Sequence, residues 1–139
     1  MNKLLCLSGG LALMVLASLI GAPAGARDDE VPSVKDVMGQ LHKGANSPIR
    51  EVGKALQDDS PDWDKIKPQA KLFEVLGAAL PRNEPSVGSK ESWEKYAKAY
   101  YEKAKDLSEA TEEEDKEAAL EAHGALAKSC AACHKSHRE

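Results

Sequence analysis

From Val34 almost to the C-terminus, apolar residues recur three and four positions apart, and no stretch shows the period-two alternation of β-branched residues that marks a strand. The pattern predicts an all-α protein of four amphipathic helices, with breaks at Pro, Gly, Asp and Ser clusters. The first stretch carries Val34, Val37, Met38, Leu41 and Ala45 on one stripe, and Ile49, Val52 and Leu56 continue it past Pro48 with little change of phase. We read one helix from a Ser33 cap to about Gln57, kinked near Ser47 and Pro48, with two separate helices as the alternative. Asp58-Asp59-Ser60-Pro61 then makes a turn, Ser60 capping the second helix and Pro61 taking its first position.

The second helix turns Ile66, Ala70, Phe73, Leu76 and Leu80 inward, bends or restarts at Pro68, and ends before Pro81. Pro81 to Gly88 forms the longest loop. Ser89 opens the third helix, whose buried stripe is Trp93, Tyr96, Ala97, Tyr100, Ala104 and Leu107. Thr111 with Glu112, Glu113 and Glu114 matches a capping box for the fourth helix, and Lys128, Lys135 and Arg138 at its far end complement the helix dipole. The dipole accounts for the acidic run at that start without a partner. There is no internal repeat and no low-complexity domain.

Ahead of the helices, Met1-Asn2-Lys3, an apolar run from Leu11 to Ile20, and the small residues through Ala24-Gly25-Ala26 have the layout of a secretory signal peptide. Ser8, Gly9 and Gly10 interrupt the run, which leaves it shorter than the ~20 residues a membrane-spanning helix needs. Cys6 lies too early to be a lipoprotein cysteine. Cleavage after Ala26 removes 1–26 and leaves one domain, 27–139, with 113 of the 139 residues and no membrane span. The formal charge moves from −4 to −5 on loss of Lys3, which excludes a general nucleic-acid binder. A chain of this size builds one core of modest extent, which a bound cofactor would reinforce.

Processing leaves two cysteines, Cys130 and Cys133, followed directly by His134. Paired cysteines in an exported chain read first as a disulfide, but two intervening residues on a helix give poor bridge geometry. A thioredoxin-like pair belongs at a helix start after a strand, and here it falls at a helix end. A zinc site from Cys130, Cys133, His134 and His137 crowds its ligands onto one or two turns. Cys-x-x-Cys-His is what covalent haem attachment requires: each thiol adds to a vinyl group, and the adjacent imidazole binds iron. At i, i+3 and i+4 the three groups lie along one helical face. For the opposite face of the iron, Met38 is the only methionine left after processing and lies on the inward stripe of the first helix, where it serves as thioether ligand or as core filler. His42, one turn on, is the rival ligand. His123 is read as packing.

The segment Leu126-Ala127-Lys128-Ser129-Cys130-Ala131-Ala132-Cys133-His134-Lys135-Ser136-His137-Arg138 resembles the C-terminal haem-binding helix of class II c-type cytochromes, the cytochrome c′ family. Trp93 at the start of the third helix and Arg138 four residues beyond the haem histidine share in the likeness, and His137 stands where an aromatic residue is common. Cytochrome c′ is itself a standard example of the antiparallel up-and-down four-helix bundle, so that architecture comes with the resemblance. The resemblance implies one haem c on the last helix through Cys130 and Cys133, His134 as proximal ligand, a haem contact from Arg138, and the first helix packed over the distal face. Five-coordinate members place an apolar residue there and bind nitric oxide or carbon monoxide. Low-spin relatives place a methionine, and Val34-Lys35-Asp36-Val37-Met38-Gly39-Gln40-Leu41 is similar to these. The expectation is therefore a non-enzymatic periplasmic electron carrier with His134 and Met38 on the iron, redox proteins as partners, and a homodimer through the first two helices as relatives often form. The rivals are a five-coordinate gas binder and, with only His42 as acid-base group, a peroxidase-like activity.

Overall fold

Ser33 caps the first helix as its position predicts, its hydroxyl accepting the Asp36 N–H at 3.2 Å. The computed structural model describes residues 31–138, so the expected signal peptide, 1–26, lies outside the described residues. Among these the chain forms five α-helices and one short 3-10 turn, with no strand: α1 (Val34–His42), α2 (Pro48–Ala55), α3 (Trp63–Gly77), the turn Leu80–Arg82, α4 (Lys90–Glu112) and α5 (Lys116–His137). The all-α fold expected from the apolar periodicity, and the helical bundle that the resemblance implies, are the observed architecture.

The segment expected to form one kinked first helix is divided into α1 and α2. Pro48 has no N–H to give back to the preceding turn, and its ring would meet the carbonyl of Gly44 if the helix ran on. Gly44 instead takes a φ of +98°, Ala45 is exposed, and Ser47 opens a new helix by accepting the N–H groups of Arg50 and Glu51 on its carbonyl, with Pro48 in the first position. The stripe nevertheless carries across the break, because Val52 and Leu56 are as buried as Val37 and Leu41.

Two caps differ from expectation. Asp62, not Ser60, starts α3 by accepting the Lys65 N–H at 3.4 Å, so Pro61 stays outside the helix. Pro68 sits inside α3 and neither ends nor restarts it. Thr111 does not start the last helix. It is fully buried near the end of α4 and donates to the Ser108 carbonyl at 2.9 Å, while Asp115 caps α5 by accepting the Ala118 N–H at 3.0 Å. The Thr-x-x-Glu spacing mimicked a capping box, but Ala110 and Thr111 prolong the buried face of α4 by one turn, and the chain reverses at Glu114, whose φ is +58°.

α4 is the spine of the molecule, packed along both α3 and α5. The short link from Glu113 to Asp115 makes α4 and α5 antiparallel neighbours. Phe73, Leu41, Leu56, Ile66, Leu107 and Leu126 are fully buried between the helices. Small residues set the closest approaches: a Cβ on Gly53 would stand 2.6 Å from the His123 ring, whose Nε2 bonds the Ile49 carbonyl at 2.7 Å and ties α5 to α2. At the other end of α4 the buried Trp93 donates to the Leu80 carbonyl at 3.2 Å, and the Asn83 amide donates to Pro32 and Ala79 carbonyls at 3.0 and 2.8 Å. These bonds gather the start of α1, the turn after α3, the 83–89 loop and the start of α4 at one end of the bundle, and His137 joins the end of α5 to it through Val87 and Ser92.

Replacing the observed cap, Asp115→Ala, should lower unfolding stability by about 1 kcal/mol, whereas Ser60→Ala should change it by less than ~0.5 kcal/mol. Urea unfolding followed by circular dichroism measures both, and the reverse ranking would contradict the cap assignment.

Candidate functional site

At that end of the bundle lies a cavity of about 920 Å³, near the upper limit of the ~300–1,000 Å³ usual for cofactor sites. Three elements build its walls. The last two turns of α5 contribute Cys130, Cys133, His134 and His137, with Arg138 just beyond. α4 contributes Trp93, Tyr96 and Tyr100 at helical spacing, and α1 contributes Val34, Met38 and His42, with Leu80 closing the side. Every residue expected at the site from sequence, namely Cys130, Cys133, His134, Arg138 and Met38, lines this one space, Met38 facing in from a different helix.

The helical repeat explains why α5 offers a compact donor set. Residues at i, i+3 and i+4 share a face, so two thiols and an imidazole emerge within about one turn. Both cysteines are half-buried and unbridged. Burial pushes the Cys130 thiol above its ordinary pKa, and burial together with the neighbouring Cys130 does the same to Cys133. Reactive redox thiols are shifted the other way, by helix N-termini or cations, so these two do not have the electrostatics of a thioredoxin-like pair. Among the described residues, no group of three or more His, Cys, Asp or Glu is placed to hold a metal ion by itself. His134 is exposed to the cavity mouth.

On the facing wall, His42 and Tyr100 share a hydrogen bond of 2.8 Å between Nε2 and the phenol oxygen, and the His42 ring lies edge-on to Phe73 and Tyr100. Burial lowers the His42 pKa, and the charge of His134 adds to this. Burial also drives Tyr100 far above the usual phenol range, so its hydroxyl stays protonated. His42, the rival distal ligand, therefore has one ring nitrogen already engaged. Met38 is half-buried and touches the core, its thioether without such a partner. His123 is absent from the walls and serves the α2 contact, as its packing reading has it.

Sequence reasoning placed Tyr96 and Tyr100 in the helical core stripe and named His137 only among zinc candidates and as a departure from an aromatic position. Their membership of the cavity wall was not visible, because the stripe of α4 leaves the core and enters the cavity without any change of period. The residues present suit a planar, apolar, iron-bearing macrocycle: aromatic walls for its faces, two thiols at vinyl-addition spacing, an imidazole and a thioether for the metal, and a guanidinium for acidic substituents.

A family model described as Cytochrome C′ matches residues 84–138, which span the loop before α4, all of α4 and α5, and the Cys130 to His134 segment. The match supports the cytochrome c′ family and, more broadly, a haem-bearing c-type cytochrome. No curated protein and no solved structure matches the chain. No helix among the described residues is long and apolar enough to cross a membrane.

In chain produced without haem attachment, Cys130 and Cys133 should react with iodoacetamide at pH 7.5 more slowly than an exposed cysteine of ordinary pKa, ~8.5. Faster alkylation than that reference would contradict the burial argument and restore the redox-thiol reading.

Proposed function

We propose that this chain is a low-spin member of the cytochrome c′ family, exported to the periplasm with cleavage of residues 1–26, which carries single electrons on one covalently held haem. The observation that carries this reading is the arrival of Met38 on α1 in the same cavity as Cys130, Cys133 and His134 on α5. Bound haem supplies an iron centre that changes oxidation state by one electron. The chain supplies the rest. Cys130 and Cys133 would anchor the macrocycle through thioethers, and His134 and Met38 would hold its metal. Arg138 at the mouth offers a guanidinium to the propionate carboxylates. Trp93, Tyr96 and Tyr100 line the cavity and would exclude water from the group, and burial together with a thioether ligand would raise its reduction potential relative to two imidazoles. Tyr100 holds His42 through its ring nitrogen, so Met38 would be the donor left free on this wall.

No residue set here asks for substrate chemistry, and His42, engaged by Tyr100, is poorly placed as the lone acid-base group of a peroxidase. The second reading, a five-coordinate haem that binds nitric oxide or carbon monoxide, draws on the contact of Met38 with the core, which suits a wall residue as well as a ligand. Ferric and ferrous absorption spectra of wild type and Met38→Leu, with and without carbon monoxide, separate the two. Electron carrying predicts a low-spin wild type slow to take up carbon monoxide and a mutant that becomes high-spin and binds it. A wild type that binds the gas readily, with an unchanged mutant spectrum, would overturn thioether ligation.

Lys35, Lys43 and Arg138 line the cavity, Lys128 and Lys135 lie exposed on the same end of α5, and none of the five forms an ion pair among the described residues. This basic rim on an acidic chain suits a redox partner that presents carboxylates. Electron-transfer rates with such a partner should fall as ionic strength rises from ~0.01 M to ~0.15 M, where the screening length shrinks from about 30 to about 8 Å. Rates that stay constant across the series would contradict it.

A further inference from the structure

We propose that His137 is the positioning residue for His134, pinning the last turn of α5 to α4 and to the loop before it; the proposal rests on the haem reading above. Among the described residues the His134 ring has no hydrogen bond of its own, unlike the rings of His42, His123 and His137. The direction of that imidazole is therefore inherited from the backbone of its own turn. His137 stands three positions later on the same turn, and the Arg138 N–H closes the turn on the His134 carbonyl at 3.1 Å.

Both nitrogens of His137 are engaged, and by different elements. Nδ1 donates to the Val87 carbonyl at 2.7 Å, and Nε2 meets the Ser92 hydroxyl at 3.0 Å. A carbonyl can only accept, so the proton of the neutral ring sits on Nδ1 and the Ser92 O–H donates to Nε2. The ring also lies edge-on to Trp93 at 5.4 Å and to Tyr96 at 6.0 Å. Trp93 is itself held by its bond to Leu80.

The loop is shaped to receive this ring. Gly88 has a φ of +87°, and a Cβ there would stand 2.6 Å from His137 Nδ1 and 2.6 Å from the Ser136 carbonyl oxygen. Bare backbone thus lies directly on the end of α5. A phenylalanine in place of His137 could keep the edge-on contacts but neither hydrogen bond, so the two polar contacts are what fix the rotation of the last turn about the helix axis. His137 lines the same cavity as His134, and any rotation it prevents is one that would swing the proximal imidazole.

The test uses the full-length chain, exported and loaded with haem, as wild type, His137→Phe, His137→Gln and Ser92→Ala. In ferric haem proteins the pattern of paramagnetically shifted haem-methyl proton resonances depends on the plane of the axial imidazole, so it reports the orientation of His134 rather than global stability. His137→Phe should shift or double these resonances, Ser92→Ala should shift them in the same sense to a smaller extent, and His137→Gln, whose amide can donate to Val87 and accept from Ser92, should return them toward wild type. If His137→Phe does not accumulate, the displacement in Ser92→Ala decides. A wild-type pattern in His137→Phe and Ser92→Ala, even with lowered urea midpoints, would reduce His137 to packing and overturn the proposal alone. A displaced His137→Phe that His137→Gln fails to restore would also overturn it, by tracing the effect to the lost ring. A wild type that emerges without haem overturns the parent reading and this one together.

Discussion

The function proposed for this chain depends on one geometric constraint: three donor groups at i, i+3 and i+4 on the final helix must face a wall that another helix completes. The helical repeat satisfies the first half locally, since Cys130, Cys133 and His134 share a face wherever α5 goes. The second half is tertiary. It is met because α5 is held against α4 along its length, because His123 ties it to α2, and because Trp93 and Asn83 draw the 83–89 loop and the start of α1 to the same end. These tethers act on the facing wall, whereas the spacing of the donor set is fixed within α5 itself.

Electrostatics follow from the same placement. Acidic residues gather at the opposite end, where Lys67 pairs with Glu114 and Lys116 bonds the Asp58 carbonyl, so the turn after α2 and the turn after α4 lie together. The basic residues near the cavity are then the exception in an acidic chain. The Lys67 to Glu114 pair lies at the surface, with Lys67 half-buried and Glu114 exposed, and such pairs contribute little to stability. The distribution of charge matters for how a partner approaches more than for how the fold stands.

Much of this was legible in the sequence, and the rest was hidden for identifiable reasons. The apolar period exposed an all-α fold, the inward positions of α4 and the inward side of Met38. The Cys130 to His134 spacing exposed a set of donor groups on one helical face. The break between α1 and α2 was only half visible, because the stripe keeps phase across Pro48 while the backbone does not. Thr111 misled because a cap signature and a buried helix end can share a spelling, and burial is not written in a four-residue window. His137 illustrates the deeper limit. Its neighbours in sequence say nothing of Val87 and Ser92, and its place in the structure depends on a loop whose backbone approaches closely enough only because position 88 is glycine.

All of the proposed chemistry requires that α5 carry a covalently bound macrocycle. Intact mass spectrometry of the exported, purified protein under denaturing conditions addresses it without assumptions about ligation or partners. The expected result is a single species heavier than the processed polypeptide by one haem, and the loss of that increment when Cys130 and Cys133 are both replaced by alanine. A mass equal to the bare polypeptide, from cells that attach haem to other exported proteins, would contradict it.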